Sequence, residues 1–176
     1  VYMFDSWEET NPKTNPIVNY IIDSKADLVC LQEAQGDGDK SGGIYKRLKA
    51  HYPYFKLMVK KKPGADYMVL LSRYPILWQD TIPYGSSSNQ SVAYMVDIKG
   101  TKTLVVNNHF ESNGLSNDDK AGFKSLVKGR MRTNKAKSES VHLLRKLGKV
   151  SMRRAPPAAM VARYVKQYLD KTVPVI

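Results

Sequence analysis

The spacing of apolar and polar side chains changes several times along the 176 residues, and each change predicts an element. Asn15 suits a helix N-cap and Pro16 a first helical position. Ile17, Tyr20, Ile21 and Ser24 then follow one helical face, which predicts a short amphipathic helix over 16–25. The stretch from Asp27 to Gln32 holds a short apolar run, suited to a strand buried on both faces. Glycine and aspartate from Gln35 to Gly43 predict a loop, and Ser41 is placed to cap a helix carrying Ile44, Tyr45 and Leu48 and ending near His51. Phe55, Leu57 and Val59 alternate with Lys56, Met58 and Lys60, the pattern of a half-buried strand. After a turn at Lys60–Gly64, Tyr67–Ser72 forms another strand, and Pro75 separates it from a short strand at Ile76–Gln79. A polar loop, Tyr84–Gln90, precedes a hairpin of Val92–Ile98 and Thr103–Phe110 across Lys99-Gly100-Thr101-Lys102. Residues 118–150 are helix-compatible, and Pro156 and Pro157 are expected to open a last helix with Val161, Tyr164, Tyr168 and Leu169 on one side. This order predicts a layered α+β architecture with helices outside and sheets inside.

Composition narrows the picture. A 42% hydrophobic chain of this length suffices for one domain with a sizeable core. No apolar run approaches the roughly 18 residues of a spanning helix. The single cysteine, Cys30, excludes an internal disulfide, and its apolar neighbours predict a buried, inert thiol. Val1 is not an initiator and Val173–Ile176 resembles the opening of a strand, so the chain is expected to be part of a longer protein.

Charge is concentrated. Of a net +12, nearly all lies between Lys120 and Arg154, where twelve Lys and Arg face a single acid, Glu139. Residues 118–154 therefore look like a basic insertion, helical or disordered, with Lys128, Arg130 and Arg132 as candidate anion-binding residues. Three readings stand: a polyanion track, attraction to an anionic membrane surface, or a solvated loop. The stretch holds one aromatic, Phe123, where stacking on single strands would want more.

Candidate chemistry sits at three places. In Asp27-Leu28-Val29-Cys30-Leu31-Gln32-Glu33, the last carboxylate lies where an apolar strand meets a glycine-rich loop. Such a carboxylate can hold magnesium, which prefers hard oxygen and keeps several waters, or can simply end a strand. In Val106-Asn107-Asn108-His109-Phe110, strand alternation puts Asn107 and His109 on one face and Asn108 on the other. That histidine can meet a phosphate oxygen or assist proton transfer, or be structural. Leu71-Ser72-Arg73-Tyr74-Pro75-Ile76 says by itself only that a strand ends at a proline-limited turn. His51 and His142 sit among lysines or leucines and are read as surface or packing residues.

Taken together, in order and in spacing, these three segments resemble motifs of the endonuclease/exonuclease/phosphatase superfamily. The resemblance covers most of residues 1–115 and resumes at 156–176. It implies a DNase I-like, four-layer α/β sandwich of two mostly antiparallel central sheets flanked by helices, here without its C-terminal strands. It also implies phosphoester hydrolysis with Mg2+, or Mn2+ or Ca2+, and an activated water, on nucleic acid, phospholipid or inositol phosphate. Glu33 matches the metal-binding glutamate and His109 the phosphate-facing histidine. Asn107 matches a residue that buttresses the site, and Asp66 is a possible acidic partner of the histidine. The tone is that of bacterial members, some of which carry membrane segments upstream. The family's Gly-Asp-x-Asn and Asp-His motifs do not occur in these residues, so the 176-residue chain is expected to be inactive by itself. Half a sandwich is also expected to expose apolar faces and to self-associate.

Overall fold

The computed structural model describes residues 15–34, 44–58, 67–83, 90–110, 114–128 and 134–176. The expectations at Ser41, Asp66, Arg130 and Arg132 and in the loops at 35–43 and 84–89 lie outside them. The chain divides into two compact units: Val1–His109 with Val161–Ile176, and Phe110–Met160.

The first unit starts with α1 (Pro16–Asp23), where the Asn15 side chain accepts from the amides of Ile17 and Val18 at 3.0 and 3.1 Å. This cap satisfies two of the amides that a helix start leaves open. The buried face differs from the expected one. Val18 and Ile21 are buried, and Tyr20, at 75% exposure, points to water. Strand β1 (Leu28–Ala34) follows, then α2 (Ile44–Lys49), β2 (Tyr54–Met58) and β3 (Tyr67–Ser72). These three strands form an antiparallel sheet in the order β1-β3-β2. The second sheet is also antiparallel, β4 (Ile76–Ile82), β5 (Gln90–Ile98) and β6 (Thr101–His109) in sequence order. The β5–β6 turn is tighter than expected: Lys99 and Gly100 alone reverse the chain, both at positive φ (53° and 89°). Positive φ at both central residues matches the right-handed twist of the strands. The Gly100 amide donates to Asp97 Oδ1 at 2.7 Å.

Strand alternation assigns each residue of β3 to one of two cores. Val69 and Leu71 join Val18, Ile21, Leu31, Ala34, Leu48 and Tyr52 beneath α1 and α2. Met68 and Leu70 face the other way, against Val92, Tyr94, Val96 and Val105 of the second sheet. Each fully buried Leu, Val or Met contributes about 1.5–3 kcal/mol relative to exposure. The far side of the second sheet meets the end of α4 (Asn134–Leu169), where the Trp78 and Tyr168 rings lie 6.2 Å apart. Helix, sheet, sheet and helix thus stack as the α+β sandwich that the sequence implied. Val175 adds a parallel bridge to Leu104, with the Leu104 amide donating to Pro174 O at 2.8 Å.

β1 departs from expectation. Among the described residues it pairs with β3 alone, and Cys30 is exposed. Crowding by its neighbours nevertheless desolvates the thiol and pushes its pKa up from 9.0 to about 11.

The second unit holds α3 (Asn117–Val127) and α4 as far as Met160. A capping box opens α3: the Ser116 hydroxyl accepts from the Asp119 amide, while Asp119 accepts from the Ser116 amide. Lys146 of α4 donates to the same Asp119 carboxylate. The expected break at Pro156 is absent, because both prolines lie inside α4. Each removes an amide donor from the helix, and α4 nonetheless continues through both.

Candidate active site

Register places the site. β1 pairs with β3 in one frame from Leu28 to Leu31, and Ala34 pairs with Tyr67 in another, so β1 carries one extra residue between them. Such a bulge bends a strand and re-aims side chains. Glu33 sits in it at φ +53°, a left-handed conformation that for a non-glycine residue is worth roughly 1–3 kcal/mol of strain. The bulge resets the alternation. Leu31 and Ala34 both face the helix-covered core, whereas Gln32 and Glu33, adjacent in sequence, both reach β6.

Side-chain hydrogen bonds join the sheets there. Glu33 Oε1 lies 3.0 Å from His109 Nε2, with side-chain exposures of 28% and 16%. Gln32 Nε2 donates to Asn107 Oδ1 at 2.6 Å. Asn107 is buried, and its Nδ2 donates to the main-chain oxygens of Leu31 (3.0 Å) and Val69 (3.4 Å). Two carbonyls facing one end of the amide dictate its orientation. Asn108 turns the opposite way and accepts from the Ser91 hydroxyl at 2.7 Å. The 107/109 face predicted from alternation is therefore the face toward β1.

The structure brings Glu33, His109 and Asn107 together and adds Gln32, which the sequence reading missed. Strict alternation would have put Gln32 and Glu33 on opposite faces, and only the bulge puts them on one. Lys128 lies in the second unit, exposed at the C-cap of α3. His51 and His142 are exposed. His142 lines a cleft of about 550 Å3 in the second unit with Asp118, Asp119 and Glu139.

The fit of a divalent cation follows from the donor set. Among the described residues no group of three or more His, Cys, Asp or Glu is placed to hold a metal. Glu33 supplies one carboxylate, partly open to solvent in the bulge near the end of β1. Magnesium needs only one or two carboxylates beside its waters, so the Glu33 carboxylate fits such an ion.

A model of the endonuclease/exonuclease/phosphatase family matches residues 1–172. The chain belongs to this family. It is therefore a member of a superfamily of nucleases, phosphatases and related phosphoesterases. Comparison with the curated proteins gave no match. Several solved structures are similar to the chain. Sphingomyelinase C from Streptomyces griseocarneus is 22% identical, over 49% of this chain and 37% of its own, with a TM-score of 0.39. ANGEL2, a 2',3'-cyclic phosphatase, is 20% identical over 54% and 30%, with a TM-score of 0.45. TDP2 of D. rerio, complexed with a single-strand DNA product, is 19% identical over 70% and 48%, with a TM-score of 0.43. The chain thus spans less than half the length of each of these three structures.

Proposed function

We propose that the protein is a divalent-metal-dependent phosphoester hydrolase whose site includes Glu33, His109 and Asn107. One observation carries this reading: a strained bulge delivers the Glu33 carboxylate to within 3.0 Å of the His109 imidazole across two sheets. A left-handed glutamate persists only where its surroundings over-determine it, and such strain concentrates at functional sites. Glu33 would hold the ion, Mg2+ by donor type, with Mn2+ or Ca2+ as substitutes. When bound, the ion would polarise the phosphoryl oxygens and offset their charge.

The chain's own residues supply the rest. His109 donates a hydrogen bond to a phosphoryl oxygen, and Asn107 holds the strand end that aims it. The substrate is a phosphoester of nucleic acid, phospholipid or inositol phosphate. These classes share the phosphate that Glu33 and His109 address and differ in groups those residues do not touch.

Binding of Mn2+, followed by paramagnetic broadening of the His109 ring signals, tests the site. One Mn2+ site is expected, lost in Glu33→Gln with the fold intact by circular dichroism. Broadening that survives the substitution, or never appears, overturns the assignment. Hydrolysis of bis(p-nitrophenyl) phosphate by these 176 residues should stay near background, since the Gly-Asp-x-Asn and Asp-His motifs do not occur in them. Robust magnesium-dependent turnover that Glu33→Ala abolishes would refute that inactivity.

A further inference from the structure

The second unit carries a surface pattern that phosphoester chemistry does not use. On α3, Phe123 and Val127 are one turn apart and exposed at 43% and 70%. Lys120, Lys124 and Lys128, all exposed and four residues apart, run beside them. The same design recurs on α4. Val141, Leu144 and Met152 are exposed at 47%, 52% and 76%. With Gly148 they occupy an arc of about 80° at 100° per residue. Arg145, Lys149 and Arg153, also exposed and at intervals of four, flank that arc. The residues that point inward are different ones: Leu143 and Ser140 are buried, and Lys146 is engaged by Asp119. Glu139, the one acid between Lys120 and Arg154, lines the cleft with Asp119 and His142.

We propose that this unit docks on the surface of an anionic lipid bilayer, with the apolar strips of α3 and α4 entering the headgroup–acyl boundary and the flanking basic rows contacting lipid phosphates. Both halves of the pattern are needed. Cations alone would suit any polyanion, but five large apolar side chains set among them gain nothing from a solvated phosphate backbone. In a bilayer they leave water, while lysine and arginine stems lie along the apolar surface and carry their charges to the headgroups. A nucleic acid would instead want aromatic platforms, and Phe123 is the only aromatic between Lys120 and Arg154. No helix of the described residues is long and apolar enough to cross a membrane, so the fit is to a helix lying on the surface. This inference does not depend on the hydrolase reading.

Flotation of the whole chain with phosphatidylcholine vesicles, with and without about 30 mol% phosphatidylglycerol, tests it. Binding should require the anionic lipid. Each surface cation removed should weaken it roughly fivefold, so Arg145→Ser/Lys149→Ser/Arg153→Ser loses about 100-fold. Leu144→Ser/Met152→Ser, which keeps every charge, should lose about tenfold or more. Val141→Ser serves as a milder variant if the double change disturbs α4. In Met152→Trp, indole emission should shift to the blue on vesicles. Equal binding to neutral vesicles, or no binding, overturns the proposal. So does indifference to the apolar substitutions, or displacement from vesicles by duplex DNA that binds both variants in proportion to charge alone.

Discussion

Asn107 offers the sharpest test of how the two sheets are held at the site. It is 1% exposed and spends three hydrogen bonds on the first sheet, two donated to Leu31 and Val69 oxygens and one accepted from Gln32. Asn107→Ala strips the Leu31 oxygen of its donor beside a bulge, where the strand ladder is already interrupted. A buried polar group left unsatisfied costs about 1–3 kcal/mol. Gln32 is half-buried and can turn to water, so its loss adds about 0.5 kcal/mol, and the 3.4 Å contact adds little. The sum is about 1.5–3.5 kcal/mol. In urea, with a slope of about 2 kcal/mol per molar, the midpoint should fall by about 0.7–1.8 M at unchanged slope. Asn107→Asp is the discriminating companion. It keeps the size but aims an oxygen, charged when ionised, at two carbonyl oxygens, so it should destabilise more than alanine does. Equilibrium unfolding followed by circular dichroism measures both. A change under about 0.5 kcal/mol for alanine, or a milder effect for aspartate than for alanine, would refute the inter-sheet role.

Other expectations follow from single groups. The Tyr94 hydroxyl is buried between the sheets and has no hydrogen-bond partner among the described residues, and burial pushes its pKa up. Tyr94→Phe should therefore be neutral or stabilising by about 1 kcal/mol, read from the urea midpoint, and a clear loss of stability would show a missed partner. The Cys30 thiol, exposed but raised to about 11, should react with iodoacetamide at pH 8 about 100-fold more slowly than a thiol at 9.0, because only the thiolate attacks. A rate matching a free thiol would contradict the desolvation. Asp119 is held down to about 2, first by the hydrogen bond from Lys146 and then by those from Ser116. A folded pKa below the unfolded 3.8 means that its contribution is complete above pH 3.8 and is lost as pH falls through 2. Carboxyl carbon shifts should titrate near 2 and move toward 3.8 in Lys146→Met. An unchanged midpoint would remove Lys146 as the cause.

Much of this was written in local sequence. Asn15-Pro16 marks a helix start because a cap and a fixed φ act within one turn. The alternation in Val106-Asn107-Asn108-His109 put Asn107 and His109 on one face because a strand has a period of two. Elsewhere local signals pointed wrongly. Tyr20 lies on the predicted face of α1 yet points to water, and Cys30 sits in an apolar run yet is exposed, because burial depends on which elements pack against a surface. The double proline suggested a helix start, yet α4 runs through it.

The sequence by itself determined the order of elements, the concentration of positive charge and the carboxylate and imidazole at the ends of β1 and β6. Only the tertiary structure decided that these two groups meet. That meeting depends on one extra residue in the β1–β3 register, which turns Gln32 and Glu33 to the same side. A bulge is a mismatch between two strands, and neither strand's own pattern encodes it. Likewise the apolar residues among the basic rows of α3 and α4 could have been core or surface, and only packing left them facing water.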